Sequence, residues 1–202
     1  SFAAIRRLPG LKPLLLVSFL YSVTFNVWPA IWSYFGKAAF NWDAQAIGLS
    51  LAVFGVFVAI AQATLMQPMI SWLGERRTAV SGMIAEVVTY GFYAFVTSGF
   101  WALAFTPVSA FGGVTGPALQ SMMSRATPED QQGELQGIFA SINALAMILA
   151  PMVMTGIFGY FTGPQTPVYW PGAPFLLSAL IMLGALVLFL FAHRPAALVA
   201  TD

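Results

Sequence analysis

Apolar residues run through this chain in long blocks, and the polar and charged residues gather in the gaps between them. A helix that crosses a bilayer needs about 20 mostly apolar residues, and the blocks are of that order. The first lies between Lys12 and Lys37, over 13–35, and the second between Asp43 and Glu75, over 44–73. A third follows Arg77, covers 78–96 with Glu86 as its one charge, and ends at Thr97-Ser98-Gly99. A fourth covers 100–124. Between Glu134 and His193 no residue is charged; the turn-forming Gly163, Pro164, Pro167, Pro171 and Gly172 divide this stretch into 135–161 and 173–192. The pattern predicts an all-α integral membrane protein whose residues 1–202 form a single domain of six transmembrane helices.

Composition agrees with that pattern. Of 202 residues 59% are hydrophobic and 7% charged, against about 45–50% and about 25% in soluble domains. So apolar a chain is not disordered either, because disorder requires low hydrophobicity and high net charge. Eight basic and seven acidic residues leave a net charge of +1. Such a balance provides no basic face for phosphates, so no nucleic-acid partner is expected. With no cysteine and one histidine, His193, neither a disulfide framework nor a thiolate or histidine metal site is expected. No cofactor is implied. The sequence contains no nucleophile with a matched base and no phosphate-binding glycine loop, which makes an enzyme the weakest reading.

Six crossings place the basic residues very unevenly. One side carries Arg6, Arg7, Lys12, Arg76, Arg77, Arg125 and Arg194, and the other only Lys37. By the positive-inside rule both termini face the cytoplasm. Ser1 to Gly10 holds two arginines without an apolar core or a small-residue cleavage site, so no signal peptide is expected there.

Within the spans, Glu86 is the one deep ionisable residue. An acidic residue at a helix centre costs about 2.5–3.5 kcal/mol on insertion scales, and such residues face a bundle interior or a water-filled path. Glu86 is therefore a candidate proton carrier, loading and unloading as its surroundings alternate between dry and wet; the competing role is a packing hydrogen bond. Gly82, Thr89, Tyr90 and Tyr93 share its helix face. In the first span Ser18, Ser22, Asn26 and Ser33 form a stripe on one face, beside Pro29. Asn26, Gln62, Gln120 and Asn143 are candidates for a substrate path, with interhelical hydrogen bonding as the alternative. Gly112, Gly113 and Gly116, and Gly133 with Gly137, have the small-residue spacing that lets helices approach closely.

Several motifs resemble the major facilitator superfamily. Gly74-Glu75-Arg76-Arg77 is similar to the cytoplasmic loop motif which that superfamily places between the second and third helix of each half. Gly116-Pro117-Ala118-Leu119-Gln120, then Gln131-Gln132-Gly133-Glu134-Leu135-Gln136-Gly137, then Ala150-Pro151 resemble, in order and spacing, the second half of its tetracycline-resistance branch. Ile47-Gly48-Leu49-Ser50-Leu51-Ala52 and Gly82-Met83-Ile84-Ala85-Glu86 add to the likeness, which covers about residues 1–161; the sixth span matches only in character. The chain departs from the branch at Val56-Phe57-Val58, where members often carry a histidine.

The resemblance implies a drug:proton antiporter of roughly twice this length, with this chain as its carboxyl-terminal six helices, two inverted three-helix repeats. Glu86 falls where the branch has an acidic residue implicated in coupling, and Gln62 and Gln120 fall on family glutamines. The superfamily generally puts the third helix of each half at the periphery, which suggests packing or relay for Glu86. The implied partners are the lipid bilayer, a second six-helix half or another membrane subunit, a small amphiphilic drug and protons. The implied location is the bacterial inner membrane. Three arrangements stay open: half of a longer antiporter, a half-length protein that pairs, or a non-transporting remnant serving as an accessory subunit of a larger complex.

Overall fold

The computed structural model describes residues 11–191, so Arg6, Arg7 and Arg194 of the charge tally, and His193, lie outside the described residues. All regular structure among the described residues is helical. Helix α1 (Lys12–Phe25) continues into α2 (Val27–Phe40) with one break at Asn26. Pro29 explains the break, since it has no N–H for the Phe25 carbonyl one turn back. Asn41 closes α2 in the left-handed conformation at φ 54°, a role asparagine tolerates at helix ends. Two residues later Asp43 opens α3 (Ala44–Thr64), its Oδ1 accepting the Ala46 N–H at 2.8 Å. Two polar residues thus turn the chain between two apolar helices.

Helix α4 (Met66–Phe95) follows a break at Leu65 and is divided internally at Gly74, whose φ of 78° and ψ of 162° lie outside the helical region. Pro68, in the first turn of α4, cannot bond back to the Thr64 carbonyl, which accounts for the Leu65 break. The segment expected as a fourth continuous span is instead three short helices: α5 (Gly99–Ala104), α6 (Thr106–Gly112) and α7 (Thr115–Arg125). Pro107 and Pro117 leave the carbonyls of Leu103 and Gly113 without a helical donor, and the two interruptions sit there. Gln132 ties α7 to α8 (Gln132–Thr162). Its Nε2 donates to the Ser124 and Thr127 carbonyls at 2.7 and 2.8 Å. Trp170 anchors the connection to α9 (Ala173–Phe191), donating from Nε1 to the Ala94 carbonyl at 2.6 Å.

Among the described residues, four helical stretches are long and apolar enough to cross a membrane: Lys12–Phe40, Ala44–Thr64, Glu129–Thr162 and Ala173–Phe191. The stretch after Gly74 falls outside this set because of Glu75, Arg76, Arg77 and Glu86, and the stretch 99–125 because it is broken. Helix α9 packs along α4 and α1, α6 and α7 pack on α4, and α8 packs on α1 and α2. Helix α3 buries only Ser50 and Ala61, and leaves Leu49, Leu51, Val56 and Ile60 exposed. A helix apolar on every side belongs in lipid or against another membrane surface.

One end of the bundle is held by an aromatic cluster. The Trp28 and Tyr93 rings meet edge to face at 5.0 Å, Phe35 and Phe175 at 4.9 Å, and Phe92 stacks on Phe105 at 4.0 Å. Such pairs contribute about 0.5–1.5 kcal/mol each beyond their burial. They fix α2, α4, α9 and the junction between α5 and α6 relative to one another, and so set the frame in which Glu86 sits.

Candidate functional site

Glu86 lies midway along the part of α4 that follows Gly74 and is 4% exposed. It shares its buried face with Gly82, Thr89, Tyr90 and Tyr93. The opposing surface is made of glycines and short polar residues. Gly112 of α6 lies directly over the Glu86 side chain, and a Cβ there would collide with Glu86 Cγ. Gly82 in turn makes room for Thr115 of α7. The fit leaves Glu86 Oε2, Thr89 Oγ1, Tyr90 Oη and Thr115 Oγ1 buried without hydrogen-bond partners. Buried polar atoms are usually paired, so four orphans on two facing helices mark a place that is more than filling.

Beside this cluster is a cavity of about 440 Å³ between α1, α7 and α8. Ser18, Tyr21 and Ser22 line it from α1, Gly116 and Gln120 from α7, and Gln136, Phe139 and Asn143 from α8. Ser22 Oγ donates to Asn143 Oδ1 at 3.0 Å, and Gln120 Nε2 donates to Gln136 Oε1 at 3.4 Å. Gln120, Gln136 and Asn143 are exposed, so the cavity has a polar, open mouth. The Tyr21 ring lies against Gly116 and forms part of the wall nearer Glu86.

At the far end of the bundle the Gly74 motif joins three helices. Arg76 Nη2 donates to the carbonyls of Phe189 and Leu190, both at 3.1 Å, and its guanidinium lies 4.9 Å from the Phe189 ring centre. These are last-turn carbonyls of α9, where a cation also complements the helix dipole. Glu75 pairs with Arg125 Nε of α7 at 2.9 Å and accepts from Ser121 Oγ. Thr78 Oγ1 donates back to the Gly74 carbonyl at 2.9 Å.

Comparison with known proteins decides the family. The sequence profile of the Major Facilitator Superfamily matches residues 14–201. This chain belongs to the major facilitator superfamily. Among curated proteins, it is 37% identical to the class C tetracycline resistance protein of Escherichia coli, over 91% of this chain and 45% of that protein. It is 36% identical to the class G tetracycline resistance protein of Vibrio anguillarum, over 87% of this chain and 44% of that one. The Hippocampus abundant transcript-like protein 1 of Rattus norvegicus is 28% identical over 70% of this chain. No solved structure matches. The chain spans about half the length of these two tetracycline resistance proteins. The superfamily is one of membrane transporters and not of enzymes, and the match extends through the sixth expected span, beyond the motifs quoted above.

Within this superfamily chain, two of the four substrate-path candidates come together. Gln120 and Asn143, from α7 and α8, line the same cavity. Asn26 lies at the α1–α2 break, where its Nδ2 donates to the Ser22 carbonyl at 2.7 Å. Gln62 is exposed on α3, outside the lining of that cavity. Ser18 and Ser22 of the first-span stripe are in the wall, but Tyr21, Gln136 and Phe139 were not among the candidates. Tyr21 gave no signal of its own, because one tyrosine in an apolar helix is ordinary. Gln136 lies four residues after Gln132, which caps α7, and this one-turn spacing could have drawn attention to it.

Proposed function

We propose that this chain is one six-helix half of a proton-coupled efflux transporter for small amphiphilic compounds of the tetracycline type. In this reading it crosses the bacterial inner membrane six times, over about 13–35, 44–73, 78–96, 100–124, 135–161 and 173–192, with both termini in the cytoplasm. The α1–α7–α8 cavity supplies one wall of the substrate path. Gln120 and Asn143, with Asn26 at its rim and Gln62 on α3, are the polar contacts offered to the compound. A facing half completes the site, because superfamily transporters bind at the midplane between halves and alternate by rocking one against the other. The Gly74, Arg76 and Arg77 segment is the cytoplasmic clasp between helices.

The observation that carries this reading is Glu86: a buried carboxyl with one oxygen unpartnered, midway along its helix and beside a polar cavity. A carboxyl retained there without a partner costs stability, and taking up and releasing a proton is the use that explains its retention. The test is transport by the full-length protein in liposomes under a pH gradient, with tetracycline as first probe. Glu86→Gln preserves shape and removes proton exchange, so coupled flux should vanish while folding is retained. Glu86→Asp keeps ionisation with a shorter reach and should retain part of the flux. Wild-type coupling in Glu86→Gln would overturn the proposal and favour a structural-subunit role.

A further inference from the structure

Glu86 is sealed from the cavity on whose water the proposed function depends. Some group must connect the two. Gly112, which receives the Glu86 side chain, and Gly116, which receives the Tyr21 ring, are four residues apart, on either side of the 113–114 break between α6 and α7. Gly113 and Val114 between them both have right-handed helical dihedrals. A Cβ on Gly116 would stand 3.0 Å from Tyr21 Cε1 and 3.1 Å from Tyr21 Oη, so the hydroxyl itself, not only the ring, is against this helix. Tyr21 also lines the cavity, which Tyr90 does not.

We propose that the Tyr21 hydroxyl is the gate through which Glu86 exchanges its proton with the cavity. This rests on the reading of Glu86 as the proton carrier. The titratable groups near Glu86 are Tyr21 from α1 and Tyr90 from its own helix, while α6 presents Gly112 to it and α7 presents Thr115 to Gly82 one turn earlier. In this proposal a bridging water sits among Tyr21 Oη and the unpartnered Glu86 Oε2 and Thr115 Oγ1, which meets the two to four polar partners such a water needs. In the release step the Glu86 O–H breaks and its proton passes to the bridging water. That water gives one of its own protons to Tyr21 Oη, as the original Tyr21 proton leaves for a cavity water. One proton has then moved from Glu86 to the cavity, a carboxylate remains on Glu86, and Tyr21 is again neutral. Loading reverses each transfer.

The experiment follows the carboxylic-acid C=O infrared band of the full-length reconstituted protein, assigned as the band that Glu86→Gln removes, after a jump into D2O. Positioned proton-transfer groups contribute about 10²–10⁴-fold, so Tyr21→Phe should slow deuteration of the Glu86 band by about tenfold or more. Tyr90→Phe, which leaves the gate in place, should stay within about threefold of wild type on the same reasoning. A merely structural role for the Tyr21 hydroxyl has the opposite sign, since its loss would loosen packing, admit water and speed exchange. Gly116→Ala displaces the hydroxyl without removing it, so it should slow exchange too and provides the test should Tyr21→Phe not accumulate. Unchanged or faster exchange in Tyr21→Phe, or in Gly116→Ala if that is the variant obtained, overturns the gate. Absence of any band that depends on Glu86 overturns instead the reading on which the gate rests.

Discussion

Replacing Gly74 by alanine isolates a single physical effect. At φ 78° and ψ 162° this residue occupies a region of backbone space that is essentially reserved for glycine. A Cβ built on it meets nothing within 4 Å, so no clash contributes and the cost is backbone strain alone. Such strain costs about 1–3 kcal/mol, which is roughly a 5- to 150-fold shift in the folding equilibrium. If the backbone relaxes to avoid the strain, Glu75 and Arg76 move with it, and the bonds to Arg125, Ser121 and the α9 carbonyls weaken. Gly55→Ala is the control. It too meets nothing within 4 Å, but it lies inside α3 with helical dihedrals. Alanine is favoured over glycine by about 0.8–1.0 kcal/mol in a helix interior, so the same substitution should there be neutral or stabilising. Reversible unfolding of the full-length protein in mixed micelles measures both. Equal stability of Gly74→Ala and wild type would refute the assignment of a glycine-only turn at the α4 break.

Three further outcomes are expected. Gly172→Ala would drive a Cβ into the Ala94 carbonyl group, which as backbone cannot rotate away; the loop that carries Trp170 should detach, with loss of folded protein in a detergent-extraction assay. Arg76→Lys keeps the charge but cannot span both α9 carbonyls in the same planar geometry, and should cost about 1–2 kcal/mol in the same unfolding measurement. In a cysteine-free full-length background, an impermeant thiol reagent applied to intact cells should label a cysteine at the exposed Gln165 and not one at the exposed Asp130; labelling of Asp130→Cys from outside would break the six-crossing arrangement.

Membrane character and helical class were legible in the residues themselves, because transfer into lipid is a per-residue quantity and a bilayer demands that each span satisfy its own backbone. The charged gaps that bound the spans, Asp43 among them, and the Gly74-Glu75-Arg76-Arg77 loop motif could be read one at a time. The family, too, was readable, since loop motifs keep their local order whatever the packing. The three-way division of 99–125 was less visible: Pro107 and Pro117 were present in the text of the chain, but hydropathy averages over them.

Tertiary structure alone decided which polar residues meet. Gln120 and Asn143 are 23 positions apart and share a cavity because α7 and α8, joined through the Gln132 cap, both pack against α1. Gln62 had an equal claim by sequence and lies elsewhere, because α3 turns that side outward. Likewise, Gly112 and Gly116 looked like generic small-residue spacing until the packing put a carboxyl in one niche and a tyrosine hydroxyl in the next. The physical reason is that side-chain hydropathy acts on each residue separately and can be summed along a chain. Proximity across helices depends on how far each helix has rotated about its axis, and that is set by the whole packed interface at once.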